Sequence, residues 1–380
     1  PTAAAILRLT AYLAPDPILS KMFEDEASIV EEAVGLLCEE TGQIVGDPSV
    51  QDGIAELASF SMVTRKGDSF TVHRMVQDAL RSRIPEERKR DWIERALRLV
   101  DDFSPRSPWD VRTWPVWDLL RPHSTRLVKT ADDVGIAHPT ARQMAQLSSL
   151  LQAKGLYEEA EPWIRRALAL NEASYGPEHS EVSACLNNLA QLLQATNRLA
   201  EAEPLMRRAL QIDEDSYGPL HPDVAIDLNN LARLLQATNR LAEAEPLMRR
   251  ALQIFECSYG PLHPNVAVHL NNLAQLLQGT NRLAEAEPLT RRALQIDEDS
   301  LGPLHPNVAR DLHNLSWLLR DTGRLSTAMP LIDRVVEIYE RSFGLDHPRT
   351  QNANLTQGTF RNEIASQPAP PASPEGAKSE

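Results

Sequence analysis

Cysteine is scarce: three residues in 380, Cys38, Cys185 and Cys257, scattered without pairing or metal-ligand spacing. That excludes a disulfide scaffold or zinc module and fits small core thiols in a reducing, cytoplasmic setting. No apolar run approaches the ~20 residues that span a bilayer, and no signal-peptide pattern opens the sequence, so no membrane partner is expected. Basic excess is missing too. With 53 acidic residues against 39 Lys and Arg, the net charge is −14, the wrong sign for displacing counterions from nucleic acid. Catalytic signatures are also lacking: no hydrolase elbow, no His-Glu-x-x-His, and no Gly-x-x-x-x-Gly-Lys-Ser/Thr phosphate loop. No catalytic residue, metal or cofactor is therefore expected from these motifs. What remains is ordinary for a globular or repeat protein, 42% hydrophobic and 24% charged.

Against that background one pattern stands out. A histidine recurs at His179, His221, His263, His305 and His347, a step of 42 residues (221 − 179), with His138 preceding by 41 (179 − 138). A fixed period of this size marks a stacked solenoid. Each block reads as two helices. Leu228, Leu231, Ala232 and Leu235 form one apolar face, and Leu241, Ala244, Leu247, Met248 and Ala251 form a second after the polar turn Thr238-Asn239-Arg240. Gly260 suits a left-handed helix stop and Pro264 a first helical turn, with His263 held extended before it. Histidines on successive blocks lie too far apart to share a metal, since packed helices are about 8–10 Å apart, so they are read as loop residues. Pro204, Pro246 and Pro288 sit early in the second helices, where a slight bend and no break is expected.

These runs, Leu-Asn-Asn-Leu-Ala, Ala-Glu-Pro-Leu, Arg-Ala-Leu and Tyr-Gly-Pro followed by His-Pro, resemble the tetratricopeptide repeat in its 42-residue, kinesin-light-chain-like form. The resemblance implies an all-α superhelix (an α-solenoid) of five repeats over 138–346, with a concave surface lined by the first helix of each. Residues 347–366 read as a capping helix and 367–380 as a Pro-rich disordered tail.

Before the repeats, three helical stretches, near 1–14, 29–38 and 49–59, precede two β-prone runs around Lys66-Gly67-Asp68 and a helix from about His73 to Ser82. Residues 1–84 thus read as a small winged-helix-like module. The stretch Ser69 to Arg81 resembles the end of the winged helix in NB-ARC-type switches, the STAND class of signalling ATPases, many of which carry Met-His-Asp where this chain has Val72-His73-Arg74. The resemblance implies that His73 touches the β-phosphate of ADP in a full-length protein. Arg74 departs from the family's Asp, and the alternative is that His73 only caps its helix. Since the chain opens on Pro1, it is expected to be the C-terminal part of something longer, with the phosphate loop upstream. A helical connector spans 85–137: an amphipathic helix from Glu86 to Phe103, a break at Ser104–Trp109, then a helical pair from Trp114 to about Val134. Trp109, Trp114 and Trp117 are expected to pack the joint with the repeats.

Candidate binding residues come from the first helices. Asn188, Asn230, Asn272 and Asn314 recur once per block, preceded by Asn187, Asn229 and Asn271 and then by His313. An amide both donates and accepts, so such a ladder can pair with an extended peptide backbone, as matching asparagines do in kinesin-light-chain-like repeats. The alternative is that each bonds a neighbouring helix and orders the stack; the binding role is assigned to the second Asn of each pair ahead of the first. Gln191, Arg233, Gln275 and Trp317 follow one turn later, then Gln194, Gln236, Gln278 and Arg320, with Arg310 at the entrance of the last repeat. Arg233, Arg310 and Arg320 favour an acidic partner. Trp317 is either an anchor for a ligand or core fill. The expected role is a protein- or peptide-binding sensor that regulates a nucleotide-dependent switch, with room for an oligomer of the full-length protein. The alternatives are a stand-alone adaptor and a DNA-binding regulator. The last ranks lowest, because the reading helix would carry Asp52 and Glu56 and no Lys or Arg.

Overall fold

The computed structural model describes residues 1–42 and 49–366; the expected tail at 367–380 lies outside them. The chain forms two compact units, Pro1–Ile212 and Asp213–Glu380.

The first unit opens with α1 (Thr2–Thr10), β1 (Ile18–Leu19), α2 (Ser20–Asp25), α3 (Ala27–Thr41) and α4 (Val50–Ser59). The hairpin β2 (Val63–Lys66) and β3 (Ser69–Val72) follows, then α5 (Arg74–Arg83). The sheet is antiparallel in the order β1-β3-β2, with Val63 opposite Val72 and Ile18 opposite Phe70. Gly67 takes the hairpin turn at φ +60°, open to glycine at no steric cost. Phe23 and Phe70 meet at 5.8 Å in the core between sheet and helices. At Gly53 a Cβ would come within 3.2 Å of the Ala3 backbone nitrogen, so glycine lets α4 lie close on α1. Buried Gln77 reaches from α5 to the carbonyls of Thr10 and Leu13 at and just past the end of α1, tying the two helices together.

Next come α6 (Glu86–Phe103) and α7 (Trp114–Asp133). The expected helical pair is one continuous helix, because Pro115 falls in its first turn and Pro122 is accommodated inside it. The tryptophans divide: Trp117 is fully buried, Trp114 is half-buried and donates to the Pro108 carbonyl at 3.1 Å, and Trp109 is 54% exposed. Only Trp117 is a core residue; Lys154, at the end of the first repeat helix, lies 5.2 Å over the Trp114 ring, and Trp109 meets that helix from the surface. The unit continues with α8 (Thr140–Ala153), α9 (Tyr157–Tyr175), α10 (Ser180–Ala195) and α11 (Leu199–Tyr217), the last of which runs into the second unit.

The second unit stacks three helix pairs: α12 (Pro222–Ala237) with α13 (Leu241–Tyr259), α14 (Pro264–Gly279) with α15 (Leu283–Leu301), and α16 (Pro306–Asp321) with α17 (Leu325–Phe343). A last helix, α18 (Pro348–Ser366), packs on α17. Leu228, Leu231, Ala232 and Leu235 are buried, as are Ala244, Met248 and Ala251, so each pair closes on the faces that the period indicates. Asn239 and Asn281 take φ near +59° in the tight turns, and Gly323 takes φ +74° in the last. The second helices run unbroken through Pro246, Pro288 and Pro330. Gly260 has φ 87° and ψ 156°, so it is not left-handed helical but sits in an extended mirror region that suits glycine alone.

The periodic histidines cap helices. Nδ1 of His221, His263 and His305 accepts the N–H two residues on, at 3.3, 3.1 and 3.2 Å, satisfying a donor the helix start leaves free. The rings of His221 and His263 also stack on Tyr217 and Tyr259, at 4.6 and 4.9 Å. On the second helices, Arg250, Arg292 and Arg334 pair with Glu214, Glu256 and Glu298, and each also donates to a proline carbonyl in the loop before the first helix of its own pair.

Candidate ligand-binding groove

On α12 the buried positions leave a stripe at i, i+7 and i+11, namely Ile226, Arg233 and Ala237, flanked by half-buried Asn229, Asn230 and Gln236. The same register on α14 gives Val268, Gln275 and Gly279, with Asn272 and Gln278 half-buried beside them. On α16 it gives Arg310, Trp317 and Asp321, beside His313, Asn314 and Arg320. These first helices adjoin one another through their amides. Asn272 Nδ2 donates to Asn229 Oδ1 at 2.9 Å, Asn314 Nδ2 to Asn271 Oδ1 at 3.4 Å, and Gln278 donates to Asp321. The asparagines therefore order the stack. In Asn272 and Asn314 only one amide proton is drawn into it, and an amide can make further bonds.

Asn271 is only 4% exposed and donates to Asp311 at 2.8 Å, which places the first residue of that pair in the interior. Arg233 is exposed and makes no ion pair among the described residues, so its guanidinium faces solvent. Ile226 and Val268, 47% and 37% exposed, add an apolar edge beside the amides that sequence reasoning passed over.

The other expected cations have internal partners. Arg320 forms a two-pronged pair with Glu363 of α18, at 2.7 and 2.9 Å, and lies 4.9 Å over the Trp317 ring. Trp317 in turn meets Phe360 edge-on at 5.4 Å and donates to His313 Nε2, so it packs the joint with the last helix. Arg310 bridges two fully buried carboxylates, Asp297 at 3.1 Å and Asp311 at 2.8 Å. Burial pushes the Asp311 carboxyl up to about 7 and raises Asp297 as well; Arg310 opposes the rise in both. The expected bias of Arg310 and Arg320 toward an outside anion is thus partly answered within the chain.

In the first unit, half-buried Asn187 and Asn188 sit at the same register, with Gln191 half-buried one turn on. Asn188 lines a cleft of about 310 Å³ together with Asn171, Gln146, Arg106 and Trp109. The segment after α6 therefore forms one wall of it. Cys185, at the same cleft, accepts from Asn171 at 3.4 Å, and burial pushes its thiol up to about 11, which keeps it protonated and unreactive. His73 is exposed at the start of α5, where its Nδ1 accepts the Met75 N–H at 3.2 Å.

Stacked helix pairs with a side-chain register repeated on the first helix define a helical solenoid. The chain belongs to the tetratricopeptide repeat family, which matches residues 140–215, 186–256, 228–299 and 265–341. Residues 1–89 match a domain of unknown function (DUF7779). No curated protein matches the chain. Among solved structures, BtubC (BKLC) from P. vanneervenii is 24% identical with a TM-score of 0.52, covering 59% of this chain and 91% of that one. Nearly identical TPR-like repeats ascribed to a kinesin light chain of Podosopora anserina are also 24% identical, with a TM-score of 0.47, covering 53% and 96%. The STAND protein PH0952 of Pyrococcus horikoshii, with its tetratricopeptide repeat sensor, is 11% identical with a TM-score of 0.47, covering 96% of this chain and 60% of that one. At 24% identity the likeness to BtubC is one of fold. Among the described residues no helix is long and apolar enough to cross a membrane.

Proposed function

We propose that the first-helix face of α12, α14 and α16 holds an extended peptide segment of a protein partner. The observation that carries this is the repeated register: Ile226 and Val268 offer apolar contact, Asn230, Asn272 and Asn314 offer amides, and Arg233 and Gln275 stand exposed beyond them. Amides at fixed intervals suit a peptide backbone whatever its sequence, and exposed Arg233 favours acidic side chains nearby. An immobilised array of unrelated peptides, probed with the full chain, tests the reading. The triple substitution Asn230→Ala, Arg233→Ala and Asn272→Ala should remove most captured spots while helicity is kept. Unchanged capture would sink it.

The binding event regulates, in this reading, a nucleotide-dependent switch of which residues 1–84 are a part. The order helix, strand, helices, hairpin, with the first strand joined to the hairpin, is that of a winged helix and supports the assignment. His73 caps α5 through Nδ1 and stands exposed, which suits a second contact with the β-phosphate of ADP. In a full-length protein His73→Ala should raise basal activity. An unchanged level would favour the plain adaptor.

A further inference from the structure

Between α16 and α18, over α17, lies a cleft of about 280 Å³ whose lining is rich in donors: Arg310, Arg349, Asn307, Asn352, His313 and Tyr339. Arg349 is exposed, lies 5.7 Å over the Phe343 ring, and forms no ion pair among the described residues. Arg310 uses Nε and Nη2 on Asp311 and Asp297, and its Nη1 has no acceptor among the described residues. A guanidinium carries five N–H donors in a planar fork, so the outer edge of Arg310 remains available to a planar anion.

Behind Arg310 the two aspartates are fully buried, and each keeps one oxygen without a hydrogen-bond partner, Oδ1 of Asp297 and Oδ2 of Asp311. Two carboxylates in contact at a buried site cannot both ionise cheaply, so one proton is shared until the medium is near neutral. With that proton present, Arg310 and the pair sum to no net charge, and Arg349 makes the cleft positive. When it leaves, the pair outweighs Arg310, and an incoming anion meets an extra buried negative charge. The other polar groups around the pair do not reverse this. Asn271 on α14 donates to Asp311, burial lowers His313 on α16 toward its neutral form, and burial raises Tyr339 on α17, which stays neutral; the remaining charged group of the lining is the exposed Arg349 guanidinium on α18.

We propose that this cleft is a proton-linked carboxylate pocket, which takes an aspartate or glutamate side chain of a bound acidic peptide between Arg310 and Arg349 and releases it when the Asp297–Asp311 pair becomes fully ionised. This rests on the peptide-binding reading of the first-helix face and names the chemistry at its C-terminal end. Linkage fixes the direction: anion binding takes up a proton, so affinity rises as pH falls from 8 to 6. The aspartates of the probe below stay ionised across that range.

The test is fluorescence anisotropy of a labelled, C-terminally amidated hexa-aspartate peptide with the full chain, at fixed ionic strength. A net charge of −14 opposes diffuse attraction, so binding reports a built site. Affinity should rise at least fivefold from pH 8 to pH 6. Asp311→Asn should give the pH 6 affinity at both values, and Arg349→Gln, at an exposed position that cannot disturb the core, should weaken binding at least fivefold at both. Affinity independent of pH in the unaltered chain, or indifference to Arg349→Gln, would overturn the proposal. A chain that ignores hexa-aspartate yet captures array peptides through Asn230, Arg233 and Asn272 would overturn the pocket and leave the groove standing.

Discussion

Asn272 gives an amide proton to Asn229 across 2.9 Å, joining α14 to α12 through the same side chains that mark the groove. One register therefore serves both the cohesion of the stack and the surface it offers. Substitutions there must be judged on two scales, stability and capture.

For stability, Asn272→Ala leaves Asn229 Oδ1 without its donor and should cost about 1 kcal/mol in urea unfolding. The cycle with Asn229→Ala should show coupling of roughly 0.5–1.5 kcal/mol. Strict additivity would mean that the bond does not form in solution.

The histidine caps should matter locally. His263→Ala removes the acceptor for the Asn265 N–H and the ring stacked on Tyr259, and should destabilise by about 0.5–2 kcal/mol. His263→Asn should recover most of the capping share. Equal losses from both changes would assign the effect to stacking alone.

Two buried titrating groups in the second unit tilt stability in opposite directions with pH. His269, stacked on Phe255 at 4.1 Å, is held neutral by burial, its pKa lowered to about 4. The unfolded chain binds that proton first, below about 6.5, so stability is lost as pH falls from about 6.5 toward 4, by on the order of 3 kcal/mol. His269→Leu should flatten this acid limb in melting curves taken between pH 4 and 7. Asp311 has a raised folded pKa, so the native state holds a proton the unfolded chain releases, and its contribution is lost as pH rises from about 4 to about 7. Asp311→Asn should therefore raise the melting temperature at pH 8 and leave it nearly unchanged at pH 4. The reverse ordering would show that Arg310 keeps the pair fully ionised.

Phe360, fully buried against Trp317, fastens the last helix. Phe360→Ala should cost about 3–5 kcal/mol if α18 melts with the repeats. Loss of amide protection confined to 348–366 would instead identify α18 as a separately opening unit.

Much of this fold was legible in the residues, because a 42-step period writes the same helix faces, turns and caps several times over. The helix Glu86–Phe103 and the hairpin around Gly67 fall where their patterns put them. The strand Ile18–Leu19 did not show, since two residues carry no alternation to detect. In the site, the amide positions were readable, but the partners of Arg310 and Arg320 were not. Asp297 and Glu363 stand 13 and 43 residues away on other helices, and only packing brings them to hand. Ile226 and Val268 were hidden for the opposite reason: an apolar residue in a helical pattern reads as core, and nothing local says that these two face outward.

The blocks open on a capping histidine, whose ring at His221 and His263 lies on the tyrosine that ends the block before, and the amides of Asn272 and Asn314 fasten their helices to the preceding one. A copy spliced in after residue 304 would meet surroundings it already matches on both sides, and the trough would lengthen by one register with no other residue altered. Reach in such a chain is a matter of counting blocks rather than of reshaping a pocket.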